Sequence, residues 1–357
     1  MTARSAAAAG GPPRRLGRGA ALSLGAALVL AAFVFGAAHG AYAIAPAQWP
    51  ALLAELVRPG ADGPGPAHLV FFHIRLPRLV LGLLAGAGLG LAGALMQGLF
   101  RNPLADPGLV GVSSGAALAA GATIVLGALW WPSLPRGLGS IALVAAAFGG
   151  GLAVTLLVYL LAQGAGGTRM ALMLLAGVAV NALAMAGLGY LSFISTDEQL
   201  RNVQMWLLGS LGGARWSAVL TVSALVAIAG ALGLRLAGAL NAIALGEAQA
   251  ALLGVPVERT KRLAVLAAAL AVGAVTATTG IIGFIGLVAP HWVRLAAGPD
   301  HRVVLPGAAL LGAALVLVAD AAARTLVQPA ELPLGVLTAF IGVPLFLAML
   351  RQFRERV

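Results

Sequence analysis

Apolar residues dominate the chain in ten stretches, near 20–44, 79–100, 113–131, 138–162, 170–194, 215–236, 263–279, 281–297, 303–323 and 333–350. Short segments of Pro, Gly and charged residues separate them. A helix that crosses the hydrocarbon core of a bilayer uses about 20 such residues. The pattern therefore predicts an all-α, polytopic membrane protein with about ten transmembrane helices. It divides the chain into a basic, disordered N-terminus at 1–19, a transmembrane domain at 20–351 and a short tail at 352–357. The first stretch, with Arg before it and Ala41-Tyr42-Ala43 at its end, imitates a signal peptide. It is longer than the 7–15 apolar residues such a signal uses, so it is read as a retained helix.

Composition agrees. Of 357 residues 61% are apolar and 9% charged, against roughly 25% charged in a soluble domain. The absence of cysteine removes disulfides, Cys-ligated zinc and iron–sulfur clusters. The net charge of +11 does not point to nucleic acid, because the basic residues stand at segment ends rather than on one face. With ten spans and the N-terminus inside, fifteen basic residues fall on the inner side and seven on the outer. By the positive-inside rule both termini are then cytoplasmic.

An energy source can be sought in the residues. A phosphate-binding loop needs G-x-x-x-x-G-K-[ST], and the chain's single lysine, Lys261, stands between Thr260 and Arg262. Any ATP must be hydrolysed on another subunit. Ion-coupled carriers keep an ionisable group deep in the membrane. The one acid inside a span is Asp320, four residues before Arg324 and so at the spacing of a helical ion pair. That pairing, near the outer surface, is preferred to a proton relay. The five histidines show no metal-ligand spacing, and no nucleophile–base constellation is visible, so the chain is read as a transport subunit with no intrinsic cofactor, no metal site and no catalytic residues.

Two local patterns remain. Gly82, Gly86 and Gly90 line one face of the second helix, as small residues do where helices approach closely in lipid. Residues 240–255 are too polar to span and read as two short helices broken at Gly246. Such a block suits an amphipathic helix lying at the membrane surface or a protrusion that contacts a soluble motor.

From about residue 20 to 351 the chain resembles the permease subunits of type II ABC importers, which take up vitamin B12, ferric siderophores and haem. The resemblance rests on Arg75-Leu-Pro-Arg78, Gly93-Ala-Leu-Met-Gln97 running into Arg101-Asn-Pro-Leu-Ala-Asp-Pro-Gly108, and Gly111-Val-Ser-Ser-Gly115. It continues through Leu175-Ala-Gly-Val178, Trp206-Leu-Leu-Gly-Ser-Leu211, Leu245-Gly-Glu-Ala-Gln249, Gly283-Phe-Ile-Gly-Leu-Val-Ala-Pro-His291 with Arg294, and Leu332-Pro-Leu-Gly335.

The resemblance implies a homodimer that works by alternating access. Its partners would be a periplasmic binding protein, two cytoplasmic ATPase subunits that carry ATP-Mg, and the lipid bilayer of the bacterial inner membrane. It makes 240–255 the coupling helices, with Leu245, Gly246, Glu247, Ala248, Gln249 and Gly254 at the ATPase contact. It makes Arg75, Arg78 and Arg324 outward-facing arginines that dock the binding protein. The cytoplasmic gate falls at Asn102 and Leu104 and at Met170 and Ala171, although Asn102-Pro103 also reads as an ordinary turn. Gly98-Leu-Phe-Arg-Asn-Pro-Leu-Ala-Asp-Pro107 and Asp197-Glu-Gln-Leu-Arg201 look most like the haem branch, so haem is the expected transported ligand. A ferric siderophore or cobalamin is the alternative, and an ion-coupled carrier a remoter one. Met96, Met185, Met205 and Tyr190 are candidate pathway residues.

Overall fold

A computed structural model describes residues 15–40, 42, 44–57, 65–130, 136–164, 166–327 and 329–354. Most of the basic N-terminus (1–14) and the end of the tail (355–357) lie outside the described residues. The described secondary structure is helical but for one small hairpin. Its helices are α1 Arg18–Ala38, α2 Trp49–Val57, α3 Pro66–Leu69, α4 Leu76–Leu99, α5 Val112–Trp130, α6 Arg136–Leu161, α7 Met170–Ile194 and α8 Asp197–Leu208. They continue as α9 Trp216–Arg235, α10 Ala237–Ala244, α11 Glu247–Leu252, α12 Val257–Thr279, α13 Ile285–Ala297, α14 His301–Thr325 and α15 Leu334–Arg354. The strands β1 Gln163–Gly164 and β2 Gly167–Thr168 pair antiparallel between α6 and α7.

Each apolar stretch carries one helix, and seven described helices are long and apolar enough to cross a membrane, with shorter apolar helices at Val112–Gly127 and Leu334–Ala348. The chain is a multi-pass membrane protein. The stretch at 281–297 departs from expectation. Its helix α13 has 13 residues, about 20 Å of rise, against roughly 30 Å of hydrocarbon. The chain stays non-helical from Gly280 to Phe284, where both of those residues take positive φ. Gly280 is required there, because a Cβ would fall 2.1 Å from the Trp206 carbonyl oxygen at the end of α8. Helix α8 is itself unanticipated. Thr196 and Gln199 form a capping box at its start, each side chain satisfying the other's backbone N–H.

The bundle has an inside and an outside. Buried residues make up 78%, 72% and 67% of the apolar windows of the α3–α4 span, α12 and α14, against 22–28% for α1, α6, α7 and α9. The outer helices expose apolar side chains, which lipid solvates as well as protein does. The glycine face of α4 explains how the inner helices meet. A Cβ on Gly86 would lie 2.2 Å from the Gly312 carbonyl oxygen, and one on Gly90 2.1 Å from that of Ala308, so α4 and α14 pack backbone to backbone. The two helices run antiparallel. Gly98 meets the His301 ring at one end, and Arg78 meets the last turn of α14 at the other.

Candidate functional sites at the two ends of the bundle

At the Arg78 end the structure brings the three sequence-selected arginines together and buries them. Arg75 closes the π-wound turn Val70–Arg75, Arg78 lies in the first turn of α4, and Arg324 in the last turn of α14. Read from the sequence as outward-facing, they are covered by their neighbours within this chain: Arg75 is 4% exposed, and Arg78 and Arg324 8% each. The cause is the end of α1. A helix C-terminus leaves carbonyls with no partner and a partial negative charge. Arg75 donates to the Ala37 carbonyl (2.8 Å) and to that of Tyr42, while Arg324 donates to His39 (3.1 Å) and Gly36 (3.3 Å).

Asp320 sits between the other two charges. Its Oδ2 is 3.0 Å from Arg324 Nε, the helical pairing read from the sequence, and its Oδ1 accepts from Arg78 Nε at 2.9 Å. Asp320 is only 1% exposed, so the pair is covered by protein. Arg78 also donates from Nη1 to Glu331 (2.9 Å). Of these five charged side chains Glu331 alone is exposed.

The segment after α4 doubles back into the bundle. Asn102 Oδ1 accepts from the Leu104 N–H (2.9 Å), the ordinary turn that Asn-Pro suggested. Asp106 then caps a short 3₁₀ turn, Pro107–Val110, by accepting from the Gly108 N–H (2.7 Å). The segment is clamped to α7. The side chain of Asn181 donates to the Gly108 carbonyl (3.2 Å), and Gly177 makes room for the Leu109 carbonyl, which a Cβ would meet at 1.9 Å. A cavity of about 270 Å³ lies between residues 106–113 and 281–287, lined by Asp106, Ser113, Val272, Ile282 and Phe284 among others.

The second half of the expected gate, Met170 and Ala171, opens α7. Among the described residues no hydrogen bond or ion pair joins either of them to Asn102 or Leu104. Of the candidate pathway residues Met96 is fully buried in the core, while Met185, Met205 and Tyr190 are exposed.

At the other end, Gly246 (φ +126°) separates α10 from α11 and Gly254 (φ +79°) ends the block. Leu245, Ala248, Gln249, Leu252 and Gly254 are exposed, Leu252 to 89%, while Gly246 is buried. The two short helices are anchored to different parts of the bundle. Asn241 of α10 donates to Asp300 (2.6 Å) and accepts from the His301 N–H (2.9 Å), and Asp300 caps α14 by accepting from Arg302 N–H (2.9 Å). That N–H, and then Asn241, hold the Asp300 carboxyl below the usual range. Glu247 of α11 instead accepts from Lys261 of α12 (2.7 Å). No group of three metal-binding side chains occurs among the described residues.

Comparison with known proteins places these features. The model of the FecCD transport family matches residues 28–352. The hemin transport system permease protein HmuU of Yersinia pestis is 48% identical over 287 residues, 80% of this chain and 84% of that protein. The cobalamin import system permease protein BtuC of Halobacterium salinarum is 43% identical, covering 86% of this chain and 80% of that one. The vitamin B12 import system permease protein BtuC of Salmonella typhi is 40% identical, covering 90% and 92%. A solved metal-chelate type ABC transporter in an inward-facing conformation superposes with a TM-score of 0.80 at 30% identity, over 93% of this chain and 98% of the other.

Proposed function

This chain belongs to the FecCD transport family as a non-catalytic membrane permease subunit of a type II ABC importer, and on that premise we propose that it carries haem from a periplasmic binding protein to the cytoplasm. The observation that carries the ligand is the 48% identity to a hemin permease, above the 43% and 40% found with two cobalamin permeases. Cobalamin is the second reading, on those same relatives.

Two copies assemble around the pathway and work by alternating access, each with a cytoplasmic ATPase subunit that binds ATP-Mg. The cavity beside Asp106, about 270 Å³, is below the size of most ligand pockets. That favours a pathway completed by the second copy. The exposed residues around Gly246, namely Leu245, Ala248, Gln249 and Gly254, with Glu247, seat in the ATPase. Asn102, Leu104, Met170 and Ala171 form the cytoplasmic gate. The excess of Arg at the α10–α11 end supports a cytoplasmic placement of that end and of both termini.

The docking role needs a division of labour. Arg75 and Arg324 hold the end of α1 and so shape the outer surface, while Arg78, joined to the exposed Glu331, is the charge nearest a partner. ATP-driven uptake in liposomes with the ATPase and binding protein tests the function. ATP-dependent entry of haem supports it, and entry indifferent to ATP overturns it.

A further inference from the structure

Lys261 is 1% exposed, and its ammonium is held by three segments of chain. An ammonium has three N–H donors. Lys261 gives one to the Thr168 carbonyl of β2 (2.8 Å), one to Glu247 of α11 (2.7 Å) and one to Glu258 in the first turn of α12 (2.9 Å). The second Glu258 oxygen accepts from both the N–H (2.9 Å) and the hydroxyl (2.7 Å) of Thr168. That hydroxyl is in turn bonded to Tyr159 (3.1 Å) and Gln163 (3.0 Å) at the end of α6.

The hairpin is shaped to this node. Gly167 holds φ +102°, and a Cβ there would strike the Glu258 carboxylate at 2.7 Å. Thr168 stands two residues before Met170, where α7 begins, and Arg169 N–H is bonded back to Ala162 (3.0 Å), leaving no slack between node and helix. All three donors being used, a shift of α11 must carry Lys261 with it or strip a buried ammonium of a partner.

We propose that Lys261 is the positioning residue that transmits movement of α11 to the start of α7, and so to Met170 and Ala171. The proposal rests on the reading of α10–α11 as the ATPase contact. The α10 helix, tied through Asn241 to α14, serves a different part of the bundle, so a displacement around the Gly246 hinge is divided between two destinations.

The test compares three variants in the reconstituted complex with its ATPase and binding protein, using whichever of haem, cobalamin and a ferric siderophore the intact chain carries. Lys261→Met removes the ammonium, and Glu258→Ala cuts the side-chain link from the ammonium to Thr168 without touching the α11 surface, which keeps the test open if the first variant does not fold. Either is expected to assemble with the ATPase and hydrolyse ATP while ligand carried per ATP falls at least tenfold. A merely structural role would change yield and melting temperature and leave that ratio alone. An unchanged ratio in Glu258→Ala overturns the proposal. Leu252→Asp separates the two claims: loss of ATPase assembly there supports the contact reading, and unimpaired assembly removes that reading and this proposal with it.

Discussion

Arg78 and Asp320, 242 residues apart in sequence, are joined at 2.9 Å in the interior, and the same carboxylate holds Arg324 at 3.0 Å. This one acid ties the start of α4 to the end of α14. Its loss would leave two interior guanidiniums short of a counter-charge. Breaking a buried pair in this way costs about 3–5 kcal/mol. Asp320→Asn is therefore expected to lower the thermal stability of the detergent-solubilised protein markedly, yet whatever folded protein survives should still need ATP for uptake. Uptake that became insensitive to ATP or acquired a new pH dependence would revive the proton-relay reading.

Packing of α4 on α14 gives a second prediction. Gly86→Ala puts a methyl 2.2 Å from the Gly312 carbonyl oxygen, and such overpacking typically costs about 1–3 kcal/mol. Gly230 of α9 has nothing within 4 Å of the same added atom. Gly230→Ala should be neutral or gain up to about 1 kcal/mol from helix propensity. Melting curves of the two variants check the contrast, and equal effects would contradict it.

Glycine spacing was legible in the sequence, and so were the helices, because a bilayer demands long apolar runs. The break before α13 was not, since Ile281-Ile282-Gly283-Phe284 is as apolar as a helix and only the approach of the Trp206 carbonyl to Gly280 explains it. Helix α8 had a local signal in Thr196-Asp-Glu-Gln199 that hydropathy overlooks. Burial of the arginines had none: the carbonyls that hold Arg75 and Arg324 lie 38 and 285 residues away, and depend on where α1 stops. Lys261 was conspicuous as the only lysine, but its partners at Thr168 and Glu247 come together only in three dimensions.

The α10–α14 attachment should respond to pH in a defined direction. The Asp300 carboxyl lies below its ordinary value because the Arg302 N–H and Asn241 bond its charged form. A depressed carboxylate contributes stability that is complete above the unfolded value of about 3.9 and is lost as pH falls through the lower folded value. Hydrogen exchange in α10 should be constant between pH 7 and 5, once corrected for intrinsic rates, and rise only at strongly acid pH. Asp300→Asn, which still caps a helix, should abolish that rise, and Asp300→Ala should cost about 1 kcal/mol at neutral pH. An acid response that persists in Asp300→Asn would contradict the assignment.

At the Arg78 end of the bundle, Glu331 competes for Arg78. Glu331→Gln, at an exposed site, should change stability by no more than about 1 kcal/mol. It should leave Arg78 more positive and strengthen capture of an acidic binding protein, more so at low salt. Affinity measured in nanodiscs at two ionic strengths decides it. Weaker or unchanged affinity would remove Arg78 from the docking surface.

The most direct measurement is uptake into proteoliposomes containing this chain and its ATPase, supplied with the binding protein and offered haem, cobalamin and a ferric siderophore in parallel, with and without internal ATP. The account predicts ATP-dependent entry of haem and little of the other two. ATP-dependent entry of cobalamin or a siderophore in place of haem would contradict the ligand, and uptake that ignores ATP would contradict the mechanism itself.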